Sequence, residues 1–131
     1  MRLVIVYSVP GYLSILYQLL SERTAEQSIS HDEMPSFDEH KMFVQSMPYR
    51  YWYFIEVDNL YVGAIYLTRA EEVGLFIFKE HQGIGYGGEA LAMFRKKHPG
   101  DLLANVAPDN ELAHKFWTQQ GGEVVQVTYK L

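Results

Sequence analysis

The sequence predicts an α/β protein of the α+β kind, a mixed and mainly antiparallel sheet flanked by helices. Three observations carry this. The strand and helix patterns follow the order β-α-α-β-β-β-α-β-α-β. Three strand patterns between Tyr51 and Phe78 are joined by connections too short for parallel crossovers, so they form an antiparallel meander. Only the strand–loop–helix–strand run across residues 72–106 has room for a parallel crossover, which would be right-handed. The 131 residues suit one domain, 1–131, without repeats, linkers or low-complexity tracts.

Leu3–Val6 is apolar and β-branched, a first strand. Leu13, Leu16, Tyr17 and Leu20 recur at helical spacing and predict a helix facing the core. Glu22 to Pro35 is polar and turn-rich, a loop. Ser36-Phe37-Asp38-Glu39 reads as a capping box. The helix it opens carries His40, Phe43, Val44 and Met47 on one face and stops at Pro48. Strands Tyr51–Val57 and Leu60–Thr68 flank Asp58-Asn59, two residues that tolerate φ > 0 and suit a tight hairpin. Arg69-Ala70-Glu71 turns the chain into a central strand, Glu72–Phe78. A helix from about Gly85 to Lys97 turns Leu91 and Phe94 inward, and Pro99-Gly100 ends it. Leu102–Val106 is a strand. Asp109 is placed to cap the last helix, whose stripe is Leu112, Ala113, Phe116 and Trp117, and Gly121-Gly122 stops it. Glu123–Tyr129 is the final strand.

Composition excludes several classes. The net charge of −5 argues against nucleic-acid binding by phosphate neutralisation. There is no cysteine, which removes disulfides, thiolate nucleophiles and cysteine zinc sites, and fits a reducing compartment. Leu3 to Leu20 is apolar enough to suggest a signal peptide or a membrane span. Pro10-Gly11 and the polar Ser8, Ser14 and Gln18 break it, so a cytoplasmic protein without a membrane segment is expected. The histidines lack the spacing of metal ligands, and no metal is expected. His31 and His40 are candidates for an acceptor site, and His98 for a complement to a helix dipole.

The stretch His81 to Leu91, HQGIGYGGEAL, carries most of the function. Gly83, Gly85 and Gly88 spell the G-x-G-x-x-G of a dinucleotide site. That fold needs its glycine turn in a βαβ unit and an acid about 20 residues on, at the end of the next strand. Here Asn105-Val106-Ala107 stands at that point, and only a meander precedes the loop. From Gln82 the same residues read Q-x-x-G-x-G. A strand ends, glycines follow, and a helix opens, which makes an anion site of unpaired N–H groups. Q-x-x-G-x-G in this position resembles the pyrophosphate loop of the GNAT superfamily of N-acetyltransferases. Residues Asn110 to Gly121 are similar to its N-x-x-A-x-x-L-Y-x-x-x-G segment, and Glu72 to Ile77 to its central strand. The resemblance covers about residues 60–122.

The resemblance implies acetyl-CoA as co-substrate. Its diphosphate would lie on the backbone N–H groups of Gly83, Ile84, Gly85, Tyr86, Gly87 and Gly88, with Gln82 opening the loop. Phe76, Ile77 and Phe78 would meet the pantetheine, and an N–H near Ile77 or Phe78 would polarise the thioester carbonyl. Leu102–Val106 would be the parallel neighbour that splays away from the central strand to form the cleft. Asn110 and Trp117 would contact the cofactor. Glu72 is the candidate base. Trp117 stands where the family has a tyrosine, and indole N–H cannot act as a general acid. Tyr129, Tyr66, Tyr86, His114 or water could replace it, and Tyr129 is our expectation. Gly122 stands where a phenylalanine is usual, and the last hairpin is reduced to one strand.

The expected function is transfer of the acetyl group to a primary amine of a small molecule, an amino sugar or amino acid derivative. Residues 29–43 faintly resemble acetyltransferases of nucleotide-linked amino sugars. The alternatives are a CoA-binding module without turnover and a protein or peptide N-acetyltransferase. The expected assembly is a monomer or homodimer.

Overall fold

Asp58 and Asn59 turn the chain with φ of 49° and 64°, the left-handed pair that matches the twist of two antiparallel strands. They join β2 (Tyr51–Val57) to β3 (Leu60–Leu67), the longest ladder of the protein. A computed structural model describes residues 1–23 and 33–131. Most of the expected polar loop, with His31, lies outside the described residues.

β1 (Arg2–Ile5) pairs with β2, and β4 (Val73–Ile77) pairs with β3, giving an antiparallel sheet in the order β1-β2-β3-β4. Helices α1 (Tyr12–Ser21), α2 (Phe37–Gln45), α3 (Tyr86–Lys97) and α4 (Glu111–Gln119) complete the described elements, with short 3-10 turns at Val6–Ser8 and Lys79–His81. No described helix is long and apolar enough to cross a membrane.

Alternation along β2 splits the core into two layers. Tyr53 and Ile55 point to one face and pack with Ile65, Leu67 and the α3 residues Ala90, Leu91 and Phe94. Phe54 points to the other and packs with Ala64, Leu16 and Leu19 of α1, and Val44 of α2. The pairing slips between Ile55 and Glu56, whose partners are Gly63 and Tyr61. The extra residue, Val62, therefore joins the α3 layer, as a β-bulge requires.

The capping box forms as expected: Ser36 Oγ accepts from the Glu39 N–H, and Glu39 returns a carboxylate to the Ser36 N–H, both at 3.1 Å. Two helix faces are rotated from expectation. On α1, Leu16 and Leu19 are buried rather than Leu20, because α1 packs on both the sheet and α2. On α2, Phe43 stays exposed, and Met47 has left the helix at φ 53°, ahead of Pro48.

Two predicted strands are not built. Leu102–Val106 contributes one parallel bridge, Leu103 to Glu72. Leu103 donates to the Glu71 carbonyl at 2.9 Å and accepts from the Val73 N–H at 2.7 Å, and no further pairing follows. Glu123–Tyr129 joins no sheet, and Tyr129 is 85% exposed. Its alternation Val125, Val127, Tyr129 has strand periodicity, but a strand also needs a ladder to join. The 102–106 segment offers none beyond its single bridge.

Candidate functional site

The site is built where β4 hands over to α3. The His81 N–H donates to the Phe78 carbonyl at 2.8 Å, closing the short turn after the strand. Gln82 then sends its side-chain amide back to the Ile77 carbonyl at 2.8 Å. This is the physical content of Gln82 at the head of the loop: it pins the loop to the end of β4. The Lys79 N–H is held by Glu22 at the end of α1, at 2.7 Å.

Beyond Gln82 the backbone turns through Gly83 at φ 82° and Gly85 at φ 93°, conformations that side-chain-bearing residues avoid. Gly85 is the N-cap of α3, and the first helical bond runs from the Glu89 N–H to the Gly85 carbonyl at 3.2 Å. Among the described residues, nothing accepts from the N–H groups of Gly83, Ile84, Gly85, Tyr86, Gly87 and Gly88. Residues Gln82 to Gly85 are exposed. Six successive free donors at the positive end of a helix favour an anion.

β4 supplies the second part. The Val73 N–H faces Leu103, away from β3, and the Phe78 N–H donates to Val62 on β3 at 2.9 Å. Alternation therefore turns the N–H groups of Leu75 and Ile77 to the open edge. Phe78 is not available as a donor to a ligand, which narrows the expected pair to Ile77. The Phe78 side chain is 6% exposed and fills the α1 layer of the core, so it is a packing residue rather than a contact. Phe76 is half-buried on the α1/α2 face, with the Arg23 guanidinium 3.6 Å from its ring centre.

α4 closes the loop from the side. A side chain at Gly87 would meet the Phe116 ring at 3.6 Å, and one at Gly88 would meet Gln120 at 3.3 Å. Asn110, not Asp109, caps α4: its Oδ1 accepts from the Ala113 N–H at 3.1 Å. That occupies the oxygen and leaves the Nδ2 hydrogens for a ligand. Trp117 is half-buried against the α3 layer, its ring 4.9 Å from Phe116. The helix ends in a Schellman motif, with Gly121 at φ 87° donating to Thr118 at 3.0 Å and Gly122 to Trp117 at 2.9 Å. A Cβ at position 122 would sit 2.9 Å from the Trp117 carbonyl oxygen, so glycine is the residue this turn admits.

Glu72 stands at the other end of β4. Its carboxylate accepts from the Asn105 side-chain amide at 2.5 Å, across the bridge to Leu103. The role of Asn105 went unnoticed in the sequence because only the bridge between Glu72 and Leu103 brings its segment within side-chain reach of Glu72. Tyr129 is not drawn to the loop, and His114 is exposed on α4. Tyr86 packs on the α3 layer. Tyr66 lies face to face with Tyr49, ring centres 3.8 Å apart.

On the α1/α2 face, next to Phe76, is a cavity of about 140 Å³ walled by Tyr49, Trp52, Tyr66 and Phe76, with Arg23 and His40. Burial lowers the pKa of Arg23, while the nearby Tyr66 and Tyr49 act in the opposite sense. Burial raises the Tyr49 hydroxyl, with Tyr66 adding to the effect. His40 is held below the usual histidine range by burial and is neutral at pH 7, a backbone bond to Leu13 opposing the shift. His98 is also lowered by burial and by Lys97 and Arg50. It stacks on Tyr51 and hydrogen-bonds the Tyr53 hydroxyl at 2.7 Å, so it is a neutral packing ring rather than a cation on the α3 dipole.

An open-edged strand leads here through a glycine turn into a helix start rich in free N–H donors. The chain belongs to the acetyltransferase (GNAT) family, whose model matches residues 14–122. By family it is an acyl-CoA-dependent N-acyltransferase with acetyl-CoA as the implied co-substrate. The fold is similar to the crystal structure of an acetyltransferase from Thermus thermophilus, with 23% identity, TM-score 0.74 and coverage of 95% of this chain and 88% of that one. It is similar to a putative acetyltransferase, YycN, from Bacillus subtilis, with 16% identity, TM-score 0.64 and coverage of 99% and 96%. It is also similar to a ribosomal-protein-alanine N-acetyltransferase from Brucella melitensis, with 15% identity, TM-score 0.60 and coverage of 92% and 82%. The sequence matches no curated protein.

Proposed function

We propose that the protein moves the acetyl group of acetyl-CoA directly onto a primary amine of a small-molecule acceptor. The observation that carries this is the row of six N–H groups, Gly83 to Gly88, unpartnered among the described residues and following the open edge of β4 in the chain. The cradle fits a diphosphate in charge and in donor number, and the open edge fits the amides of a pantetheine arm as an added strand would. In this reading the Ile77 N–H, with Asn110 Nδ2, holds the arm. Asn110, Trp117 and Phe76 flank it.

When bound, the thioester supplies an activated acyl carbon. The chain's own groups do the rest. Glu72 takes the proton of the acceptor ammonium, directly or through one water, and Asn105 orients its carboxylate. The thioester lies at the end of the arm away from the diphosphate, so the Leu75 N–H, the open-edge donor nearer Glu72, is assigned to the carbonyl oxygen, where negative charge develops. Holding amine and thioester together provides a large share of the rate. A thiol near pKa 8.5 leaves readily as thiolate, so with Trp117 at the usual acid position we assign its protonation to water.

A second reading, a CoA-binding module without turnover, rests on Trp117 alone. Thiol release from acetyl-CoA over a panel of primary amines separates the two. Amine-dependent release supports transfer. Acetyl-CoA binding with no release from any amine supports the binding module.

A further inference from the structure

The cavity beside Phe76 is not part of the diphosphate cradle. It lies on the α1/α2 face of the sheet, and its wall is aromatic. Tyr49 stacks on Tyr66 with the ring planes 2° apart, and meets Trp52 edge-on with centres 4.6 Å apart. A cavity near 140 Å³ is of the order that accommodates one benzene ring.

Three ionisable side chains line this cavity, Arg23, Glu39 and His40, and two of them, Arg23 and His40, are incomplete among the described residues. Arg23 lays its guanidinium on the Phe76 ring and makes no ion pair with any described residue. Glu39 is the only carboxylate at the cavity among the described residues, and it is committed to the Ser36 cap. A guanidinium stacked on an aromatic face keeps its planar fork of donors, which matches a carboxylate in two parallel hydrogen bonds. His40 is 5% exposed, and its Nε2 has no partner among the described residues. Buried polar atoms without partners are rare in native folds, and this one leaves an acceptor unused at the cavity wall.

We infer that this cavity binds the acceptor, and that the acceptor is an amine bearing a flat apolar ring and a carboxylate. The ring lies among Tyr49, Trp52 and Phe76, the carboxylate pairs with Arg23, and His40 Nε2 accepts from an N–H of the same molecule. The protein is acidic overall, so an anion is recognised here by one local cation and not by the general field. Phe76 belongs to both walls: its backbone is part of β4 and its side chain lines the cavity. The inference rests on the acetyl-transfer reading and names its substrate class.

Three probes test it: L-phenylalanine, its amide, and phenethylamine, which lacks the carboxylate. Each is titrated by calorimetry into the protein saturated with CoA, and each is assayed for thiol release from acetyl-CoA. The expected result is a kcat/KM for L-phenylalanine about tenfold or more above both analogues, because an unmatched polar site rejects a ligand that leaves it unpaired. Arg23→Gln should bring that ratio to about one, while Arg23→Lys, which keeps the charge, retains a preference for the acid. Equal use of the three probes, no binding of any, or an unchanged ratio in Arg23→Gln would overturn the inference. Acetyl-CoA affinity of the same preparations keeps the two levels apart. Normal affinity with a flat amine preference overturns the acceptor assignment alone, and no acetyl-CoA binding overturns both.

Discussion

The carboxylate of Glu72 accepts from the side-chain amide of Asn105 at 2.5 Å, across the one parallel bridge of the protein's described residues. The bridge is what brings them together. Leu103 is fastened to both Glu71 and Val73, which brings the Asn105 side chain, two residues further on, within reach of the Glu72 carboxylate. Past that point the two segments no longer pair.

Glu72→Gln keeps the shape and the Asn105 contact but removes the base. Its kcat/KM should fall by about 10²- to 10⁴-fold, the usual share of a general base. Asn105→Ala should lower kcat/KM by about tenfold, because it frees the carboxylate without removing it. Steady-state kinetics with acetyl-CoA saturating measures both. A Glu72→Gln enzyme as fast as the parent would remove Glu72 from the chemistry.

Gly85→Val tests the cradle. Position 85 has open space around a would-be Cβ, so a clash is not the issue; its φ of 93° is. A β-branched residue held there costs about 1–3 kcal/mol, and relaxing that strain turns the N–H groups away from a common centre. Far-UV circular dichroism should show the fold retained, while acetyl-CoA affinity falls by about tenfold or more. Unchanged affinity would reject the loop assignment.

Trp117→Tyr places a phenol where the family has its acid. If thiolate protonation limits turnover, kcat rises by about tenfold or more. Trp117→Phe keeps a ring and deletes the indole N–H, and with water as the proton source its kcat should stay near that of the parent. A loss of about tenfold or more in kcat with an unchanged thermal midpoint would show that the N–H donates in the reaction.

Protonation of His40 links stability to pH. Burial depresses its folded pKa below the 6.5 of the unfolded chain, so the unfolded state binds the proton more readily. Stability from this site is therefore whole above pH 6.5 and is lost as pH falls through the lower folded value. His98 is depressed in the same direction and adds to the slope. Thermal melts from about pH 8 to 5 should show the midpoint declining below about 6.5. His40→Phe should flatten part of that decline and leave the part owed to His98.

Much of this was legible in the chain because the signals were local. Asp58-Asn59, the Ser36–Glu39 box and the glycines at 83, 85 and 121 each encode a backbone conformation that the structure adopts at that position. Spacing in α3 located part of the core, Leu91 and Phe94. What failed was partnership. Periodicity in 102–106 and 123–129 describes which way side chains would point, not whether a neighbouring edge exists. The same limit hid Asn105, Arg23 and Tyr49, whose roles depend on residues tens of positions away. Asn110 and Asp109 are adjacent and equally good caps by type, and only the helix start decided between them.

The central claim is that Gly83 to Gly88 cradle the diphosphate of acetyl-CoA. Calorimetric titration of the wild-type protein with acetyl-CoA, set beside S-acetylpantetheine, which lacks the nucleotide diphosphate, tests it most directly. Saturable binding of acetyl-CoA is expected, with an affinity for the truncated ligand weaker by about tenfold or more. Equal affinities, or no heat of binding at millimolar acetyl-CoA, would contradict it.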